Sequence, residues 1–287
     1  MSINPFLNSE GQLRSGWWVL FFFLVLTVFL VPTSSVVQRD NLEVSFSLQA
    51  ASVAVTSLIC QWLRRKSLTE LLGKFNRRWL KELGLGMGLG AALMLIPALI
   101  LRIFGWIDWQ WNPISLTTIA SSVWLFVSVA IAEELLFRGF IFQRFIAGLG
   151  QWPAQLIVAG LFLLMHVNNP GMTGNIKALA SANIFLASLI FGLAFLRTRG
   201  LALPLGLHFM ANWTQGGLLG LGVSGTGQVG LLKPVLRGGP EWLTGGSFGL
   251  EASVVGLMCV VVMLILLYKW KPPQETSDER QNVISYP

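Results

Sequence analysis

The chain has 287 residues, of which 54% are hydrophobic and only 11% charged, and its mean hydropathy is +0.66. This composition excludes a soluble globular domain. The net charge of +7 does not predict nucleic-acid binding, because the basic residues are separated by apolar runs rather than gathered in one patch.

Eight apolar runs are long enough, or nearly so, to cross a membrane, which takes about 20 residues. They lie at about 17–37, 42–63, 83–104, 116–145, 153–167, 178–196, 203–222 and 248–270. Pro32 interrupts the first run, and Pro153 together with the polar segment 168–170 confines the fifth. We therefore predict an all-α, polytopic integral membrane helix bundle with about eight transmembrane helices.

The basic residues predict the orientation of this bundle. With the N-terminus in the cytoplasm, 14 of the 20 lysines and arginines lie inside, four lie outside and two lie within spans. The positive-inside rule then places both termini in the cytoplasm. Short connections favour a bacterial plasma membrane. Cys60 and Cys259 lie in separate predicted spans, so neither a disulfide nor a thiol metal site is expected.

Several segments can be assigned along the chain. Residues 1–115 carry the N-terminal spans, 116–222 the ionisable core, 223–247 a mobile glycine-rich loop, 248–271 the last span and 272–287 a polar cytoplasmic tail. Within the first segment, about 64–82 reads as an amphipathic interfacial helix on anionic lipid, with a solvated basic loop as the alternative. Overlapping G-x-x-x-G spacings at 84–90 predict a close helix contact.

Three ionisable residues fall within the fourth run, where a charged side chain costs on the order of 2.5 to 3.5 kcal/mol. Glu134 and Arg138 are four residues apart with the acid first, which favours an intrahelical ion pair. Glu133 lies about 100° around the helix from Glu134 and is left out of that pair. Such a carboxyl is suited to general acid/base chemistry.

The only two histidines of the chain also fall within predicted spans. Phe162 precedes His166 by one helical turn and is placed to support its ring, whereas Asn212 shares a helix face with His208. A lone intramembrane histidine is as often an interhelical hydrogen bonder as a catalyst. Two histidines, an unpaired glutamate and an asparagine on three spans indicate a functional site.

The sequence thus contains three motifs, E-E-x-x-x-R at Glu133, Glu134 and Arg138, F-x-x-x-H at Phe162 to His166, and H-x-x-x-N at His208 to Asn212. In order, spacing and placement they resemble the CAAX-protease and bacteriocin-processing family of intramembrane endopeptidases, which includes the Ras-converting CAAX protease. The resemblance covers roughly 116–222. It implies a peptide hydrolase with an intramembrane active-site cavity, acting in membrane lipid on a membrane-associated or lipidated peptide or protein.

At the positions that match the family motifs, the resemblance implies roles for individual residues. Glu133 is similar to the carboxylate that, with His166, activates a water for attack on a peptide carbonyl. His208 and Asn212 resemble the pair that holds the oxyanion, which suits fixed donors in a low-dielectric cavity.

Glu134 and Arg138 resemble a supporting pair that fixes the span and tunes the neighbouring glutamate. The resemblance leaves the cofactor open. No cofactor is favoured, because an asparagine beside a histidine suits an oxyanion pair better than a metal site. Glu133, His166 and His208 nevertheless form an alternative zinc set with an open fourth position.

Two other functional classes fit the intramembrane charges. A catalytically silent scaffold or immunity-type protein would keep them as structural contacts, and a transporter would use them as a proton relay, although no inverted repeat is visible. A conflict in depth arises between the two histidines when every span is drawn as a straight helix. Straight spans place His208 near the cytoplasmic end of its helix and His166 deeper, so the two histidines are not expected to meet.

Overall fold

The structure, a computed structural model, describes residues 4–7, 11–39 and 45–271, and these are mainly helical. The α-helices are α1 (Ser15–Arg39), α2 (Phe46–Leu63), α3 (Thr69–Leu72), α4 (Arg77–Ile103), α5 (Leu116–Glu134), α6 (Phe142–Leu149), α7 (Gln151–His166), α8 (Gly174–Thr198), α9 (Ala202–Trp213), α10 (Glu241–Thr244) and α11 (Val254–Lys269). Two π-helical turns, Leu135–Ile141 and Thr214–Leu218, follow α5 and α9. The polar tail predicted at 272–287 lies outside the described residues.

Within the described ranges, five helical segments are long and apolar enough to cross a membrane. They are Ser15–Pro32, Phe46–Leu63, Arg77–Ile103, Leu116–Leu149 and Gly174–Thr198. The other predicted runs form α7, α9 and α11, which have 16, 12 and 16 residues and are shorter than the roughly 20 residues that spanning requires. The prediction of a helical polytopic membrane protein agrees with this fold, whereas the count of eight spans is not confirmed.

A small β-ribbon departs from the all-α prediction. Strands β1 (Ile107–Trp111) and β2 (Leu232–Leu236) pair antiparallel, and the Trp109 indole donates to the carbonyl of Leu219 over 3.0 Å. The segment 223–247, predicted as a mobile loop, therefore contains a strand and the one-turn helix α10. The ribbon was missed because its strands are far apart in sequence and neither is stable alone.

The amphipathic helix predicted at about 64–82 is also wrong as a continuous element. Only the four-residue α3 forms, because Gly73 adopts a φ of 81° that ends it, and α4 starts after Asn76, whose side chain accepts from the Trp79 amide. Leu71 in α3 has no exposed surface. The segment around α3 therefore packs partly against protein, whereas Leu68 and Phe75 are exposed.

A buried ion cluster holds this α3 segment in place. Glu70 accepts from the Arg64 Nη2 over 3.1 Å and from the Arg144 Nη2 over 2.8 Å, and all three side chains are less than one tenth exposed. Both guanidinium groups also lie over the ring of Phe140. The cluster ties α2 and α6 to the short segment between α2 and α4.

Glycines bring α4 and α9 into backbone contact. A Cβ atom at Gly86 would lie 2.3 Å from the Leu203 carbonyl oxygen, and one at Gly90 would lie 2.2 Å from that of Leu207. From the other side, a Cβ atom at Gly206 would meet the α4 backbone at 2.2 Å. The predicted close helix contact is confirmed, and it positions the helix that carries His208.

The α6–α7 hairpin places Glu133 and His166 at one depth. Glu133 precedes the hairpin glycine, Gly150, by 17 residues, and His166 follows it by 16. At a rise of about 1.5 Å per residue, both side chains lie roughly 25 Å from the turn.

The α8–α9 connection is recessed toward the middle of the bundle. His208 follows Leu201 by only seven residues, or about 10 Å of helix, yet it reaches the same level as Glu133. The α3 segment fills the space beneath this connection, where the Leu201 amide donates to the Leu72 carbonyl over 3.1 Å. The conflict in depth between the two histidines is therefore resolved by the recessed turn rather than by a displaced α7.

We predict opposite effects for alanine at two glycines of α4. Gly90→Ala should lower the free energy of unfolding by about 1–3 kcal/mol, because the new methyl group meets the α9 backbone. Gly88→Ala meets no atom within 4 Å, so it should be neutral or stabilise by up to about 1 kcal/mol through helix propensity. Thermal unfolding in detergent measures both. Equal effects would contradict the α4–α9 contact.

Candidate active site

The carboxylate of Glu134 is the fully buried centre of the site. Its Oε1 atom accepts from the Nδ1 atom of His208 over 2.8 Å and from the Nη1 atom of Arg138 over 3.2 Å. Arg138 in turn donates through Nη2 to the carbonyl and hydroxyl oxygens of Ser188, over 2.9 and 2.7 Å. The predicted intrahelical pair exists, and it extends to α8 and α9.

Aromatic rings surround the buried guanidinium. The Cζ atom of Arg138 lies 4.9 Å from the ring centre of Phe162 and 5.1 Å from that of Phe191, within the range of cation–π attraction. Phe191 stacks on the imidazole of His208 at 4.7 Å, with an angle of 8° between the rings. Phe162 lies 4.5 Å from the ring of His166, as the sequence spacing predicts. The rings therefore restrict both histidines.

Glu133 points away from this buried pair and toward both histidines. Its Oε1 atom lies 4.0 Å from the Nε2 atom of His166, and its Oε2 atom lies 3.7 Å from the Nε2 atom of His208. The Glu133 side chain is 17% exposed, whereas that of Glu134 is fully buried. The two adjacent acids therefore occupy different environments, as predicted.

Hydrogen bonds at Nδ1 orient both imidazoles. In His166, Nδ1 lies 2.7 Å from the carbonyl oxygen of Phe162, so Nδ1 carries the proton. In His208, Nδ1 faces the carboxylate of Glu134 and is likewise the donor. Each histidine is left with Nε2 toward Glu133, and the two Nε2 atoms are available for chemistry at the cavity.

The backbone departs from α-helical geometry just after the two motif helices. The π-helical turn Leu135–Ile141 contains Arg138, and the second, Thr214–Leu218, begins two residues after Asn212. Isolated π-helical turns are frequent at functional sites because they rotate and displace the following side chains. No sequence signal used above predicts either turn.

A cavity of about 570 Å³ opens beside Glu133. Its wall is apolar where α1 and α2 contribute, and polar where the histidines lie. The apolar wall includes Phe23, Leu26, Leu30, Phe46 and Val53. The polar wall includes His166, Asn169, His208, Asn212, Ser224, Gln228 and Glu251. The predicted residues Glu133, His166, His208 and Asn212 thus line one cavity, while Glu134 and Arg138 lie behind it.

Glu251 is a residue of this cavity that the sequence analysis missed. It lies in the short 3₁₀ turn Leu250–Ala252 before α11, and its Oε2 atom accepts from the amide of Ser224 over 2.6 Å. Burial raises the pKa of its carboxyl above the ordinary value, and hydrogen bonds from Ser224 and Gln215 offset only part of that shift. Only its position next to an apolar run is visible in the sequence, so no signal distinguishes it from a helix-capping acid.

The alternative zinc set consists of Glu133, His166 and His208. Among the residues that the structure describes, no group of three or more His, Cys, Asp or Glu side chains has an arrangement suited to a metal ion. The Nε2 atoms of His166 and His208 lie 4.0 and 3.7 Å from the carboxylate oxygens of Glu133. We therefore derive no step through a metal, and the prediction that no cofactor is needed stays a prediction.

We predict that Arg138→Met strongly destabilises the protein. The substitution leaves the buried carboxylate of Glu134 without its cationic partner, which should cost about 3–5 kcal/mol in unfolding free energy. The matched control is Arg237→Met at the ion pair with Asp108, whose side chains are 59% and 42% exposed and whose loss should leave the unfolding midpoint unchanged. Similar midpoints for the two variants would contradict a structural role for Arg138.

Part of the chain, including the candidate site, matches a known protein family. The family model described as "Type II CAAX prenyl endopeptidase Rce1-like" matches residues 115–214, about one third of the chain. This stretch contains all seven residues of the three motifs. No curated protein matches the chain in a sequence search. The matched segment, which holds the candidate site, is therefore similar to the Rce1-like family of CAAX proteases.

Proposed function

We propose that the protein is an intramembrane endopeptidase that hydrolyses a peptide bond with a water activated by Glu133 and His166. The observation that carries the proposal is the pair of adjacent glutamates with different environments. Glu134 is fixed by Arg138 and His208, so Glu133 is free of the buried pair and faces the cavity between two imidazoles.

The separation of Glu133 and His166 suits one bridging water. Their facing atoms are 4.0 Å apart, too far for a direct hydrogen bond but within reach of a water that bonds each atom at about 2.8 Å. Both atoms accept, since the proton of His166 is on Nδ1. The water then donates both hydrogens, and its lone pairs are directed at a peptide carbonyl in the cavity.

The reaction follows from these positions. The water oxygen bonds to the carbonyl carbon while Glu133 takes one proton, and the carbonyl oxygen becomes an oxyanion. Glu133 then delivers that proton to the amide nitrogen, and the carbon–nitrogen bond breaks. The second water proton stays on the new carboxyl group and then passes to His166 or to the released amine, which leaves a carboxylate. The Glu133 carboxyl thus serves first as the general base and then as the general acid.

His208 and Asn212 are proposed to stabilise the oxyanion. Both line the cavity beside Glu133, and Glu134 and the Phe191 ring fix the imidazole of His208. In the imidazolium form His208 carries a second proton, on Nε2, in addition to the one on Nδ1. This donor and the side-chain amide of Asn212 need little reorganisation as charge develops on the substrate oxygen. Removal of one such donor typically costs about 10²- to 10³-fold in rate.

The cavity walls indicate the class of substrate. The apolar wall from α1 and α2 suits an alkyl or isoprenoid chain or a transmembrane segment, whereas the polar wall suits a peptide backbone. The matched family model is described as a "Type II CAAX prenyl endopeptidase". We therefore propose a membrane-associated or lipidated peptide or protein as the substrate.

Glu133→Gln tests the proposal. We expect the variant to lose hydrolysis of a quenched fluorescent lipopeptide library by at least about 10³-fold, because an amide cannot accept the water proton. Its thermal unfolding midpoint should stay close to that of the wild type, since Glu133 makes no buried ion pair with Arg138. Glu241→Gln, at an exposed acid of α10, is the matched control and should keep full activity.

A second arm of the same assay includes 1,10-phenanthroline. Activity that survives the chelator but not Glu133→Gln supports the metal-free reaction. Activity lost with the chelator would assign the chemistry to zinc instead. Absence of cleavage by folded wild-type protein across the library, together with a large loss of stability in Glu133→Gln, would contradict the proposal and favour a structural scaffold.

A further inference from the structure

The tight turn 223–226 lies over the polar wall of the cavity. Val223 and Thr226 exchange backbone hydrogen bonds, and the two residues between them, Ser224 and Gly225, have φ values of 47° and 85°. A positive φ is costly for serine, so contacts outside the turn must hold it. Three such contacts are present, from Asn169, Phe248 and Glu251.

The first contact is the carboxylate of Glu251. Its Oε2 atom accepts from the amide of Ser224 over 2.6 Å and from the hydroxyl of the same residue over 3.2 Å. Gln215, in the π-helical turn after α9, adds a weaker bond to the same oxygen at 3.4 Å. Two of these bonds come from Ser224 itself, so the carboxyl group of Glu251 restrains the turn directly.

The other contacts connect the turn to the end of α7. Asn169 donates from its side chain to the carbonyl of Ser224 over 3.0 Å, and its backbone amide donates to the carbonyl of His166 over 3.0 Å. Gly225 donates to the carbonyl of Phe248. A chain of hydrogen bonds therefore runs from Glu251 through Ser224 and Asn169 to His166.

The end of α7 needs such support. His166 is the last residue of the helix, where backbone carbonyls have no intrahelical donor. Its own carbonyl is satisfied by Asn169, which is held in turn by the 223–226 turn. The backbone carbonyl of His166 is thus linked to contacts made about 85 residues later in the chain.

We propose that Glu251 is a positioning residue for the reaction proposed above. It holds the 223–226 turn against Asn169, and thereby keeps the Nε2 atom of His166 close enough to Glu133 for one water to bridge them. Its role is that of a hydrogen-bond acceptor rather than a proton carrier. This inference rests on the proposed function for its effect on rate, but its effect on His166 is independent of any substrate.

Nuclear magnetic resonance of imidazole nitrogens tests the structural part directly. The chain has only two histidines, so protein labelled with ¹⁵N-histidine gives two sets of ring signals, which His166→Gln assigns. In Glu251→Ala we expect the His166 signals to shift and broaden while the His208 signals stay in place. Glu251→Gln keeps an acceptor for the Ser224 amide and should leave both sets unchanged, as should the control Glu241→Ala.

Kinetics test the catalytic part. Glu251→Ala should lower kcat by about ten- to a hundredfold through misplacement of His166, with little change in KM, and Glu251→Gln should restore most of the rate. Asn169→Ala breaks the same chain of bonds. Its effect and that of Glu251→Ala should therefore be less than multiplicative in the double variant, as expected for coupled residues.

Several results would overturn the inference. Unchanged His166 signals in folded Glu251→Ala, or equal shifts of both histidines, would show that Glu251 does not act on His166. If Glu251→Ala does not fold, Asn169→Ala provides the same reading, and unchanged His166 signals there have the same meaning. Failure of Glu251→Gln to restore the rate would make Glu251 an acid or base. If the protein proves not to be a protease, the magnetic resonance result is unaffected, because it does not depend on a substrate.

Discussion

The site depends on a carboxylate that is buried inside a membrane helix bundle, where it requires a cationic partner and hydrogen-bond donors. Burial of a charge of this kind is costly unless it is paired and hydrogen-bonded. Glu134 meets that condition through Arg138 and His208, and Arg138 extends the network to Ser188, so α5, α8 and α9 are joined at one point. Because successive residues of a helix point about 100° apart, the anchoring of Glu134 directs Glu133 into the cavity.

The second requirement is that three helices of unequal length meet at one level. The glycine contact with α4 fixes the lateral position of α9, and the recessed α8–α9 turn sets its depth. The α3 segment supports that turn from below and is held by the buried cluster of Glu70, Arg64 and Arg144. A segment that carries no proposed catalytic residue is thus necessary for His208 to reach Glu133.

Local patterns predicted the helical fold, the ion pair of Glu134 with Arg138, the stacking of Phe162 on His166 and the glycine contact of α4, because each follows from helical spacing. The depth of His208, the β-ribbon and the role of Glu251 did not follow, since each depends on contacts between distant segments. The α3 segment was misassigned because amphipathic periodicity does not distinguish a lipid surface from a protein surface. The π-helical turns have no periodic signature at all.

The central claim is that Glu133 directs a water at the peptide bond and does not itself attack it. A single-turnover hydrolysis in H₂¹⁸O, with enzyme in excess over a cleaved lipopeptide, tests this most directly. The account predicts one ¹⁸O atom in the new carboxyl terminus of the product and none in the peptide of the enzyme that contains Glu133. An unlabelled product together with ¹⁸O in the Glu133 carboxyl would show a covalent acyl-enzyme and contradict the account.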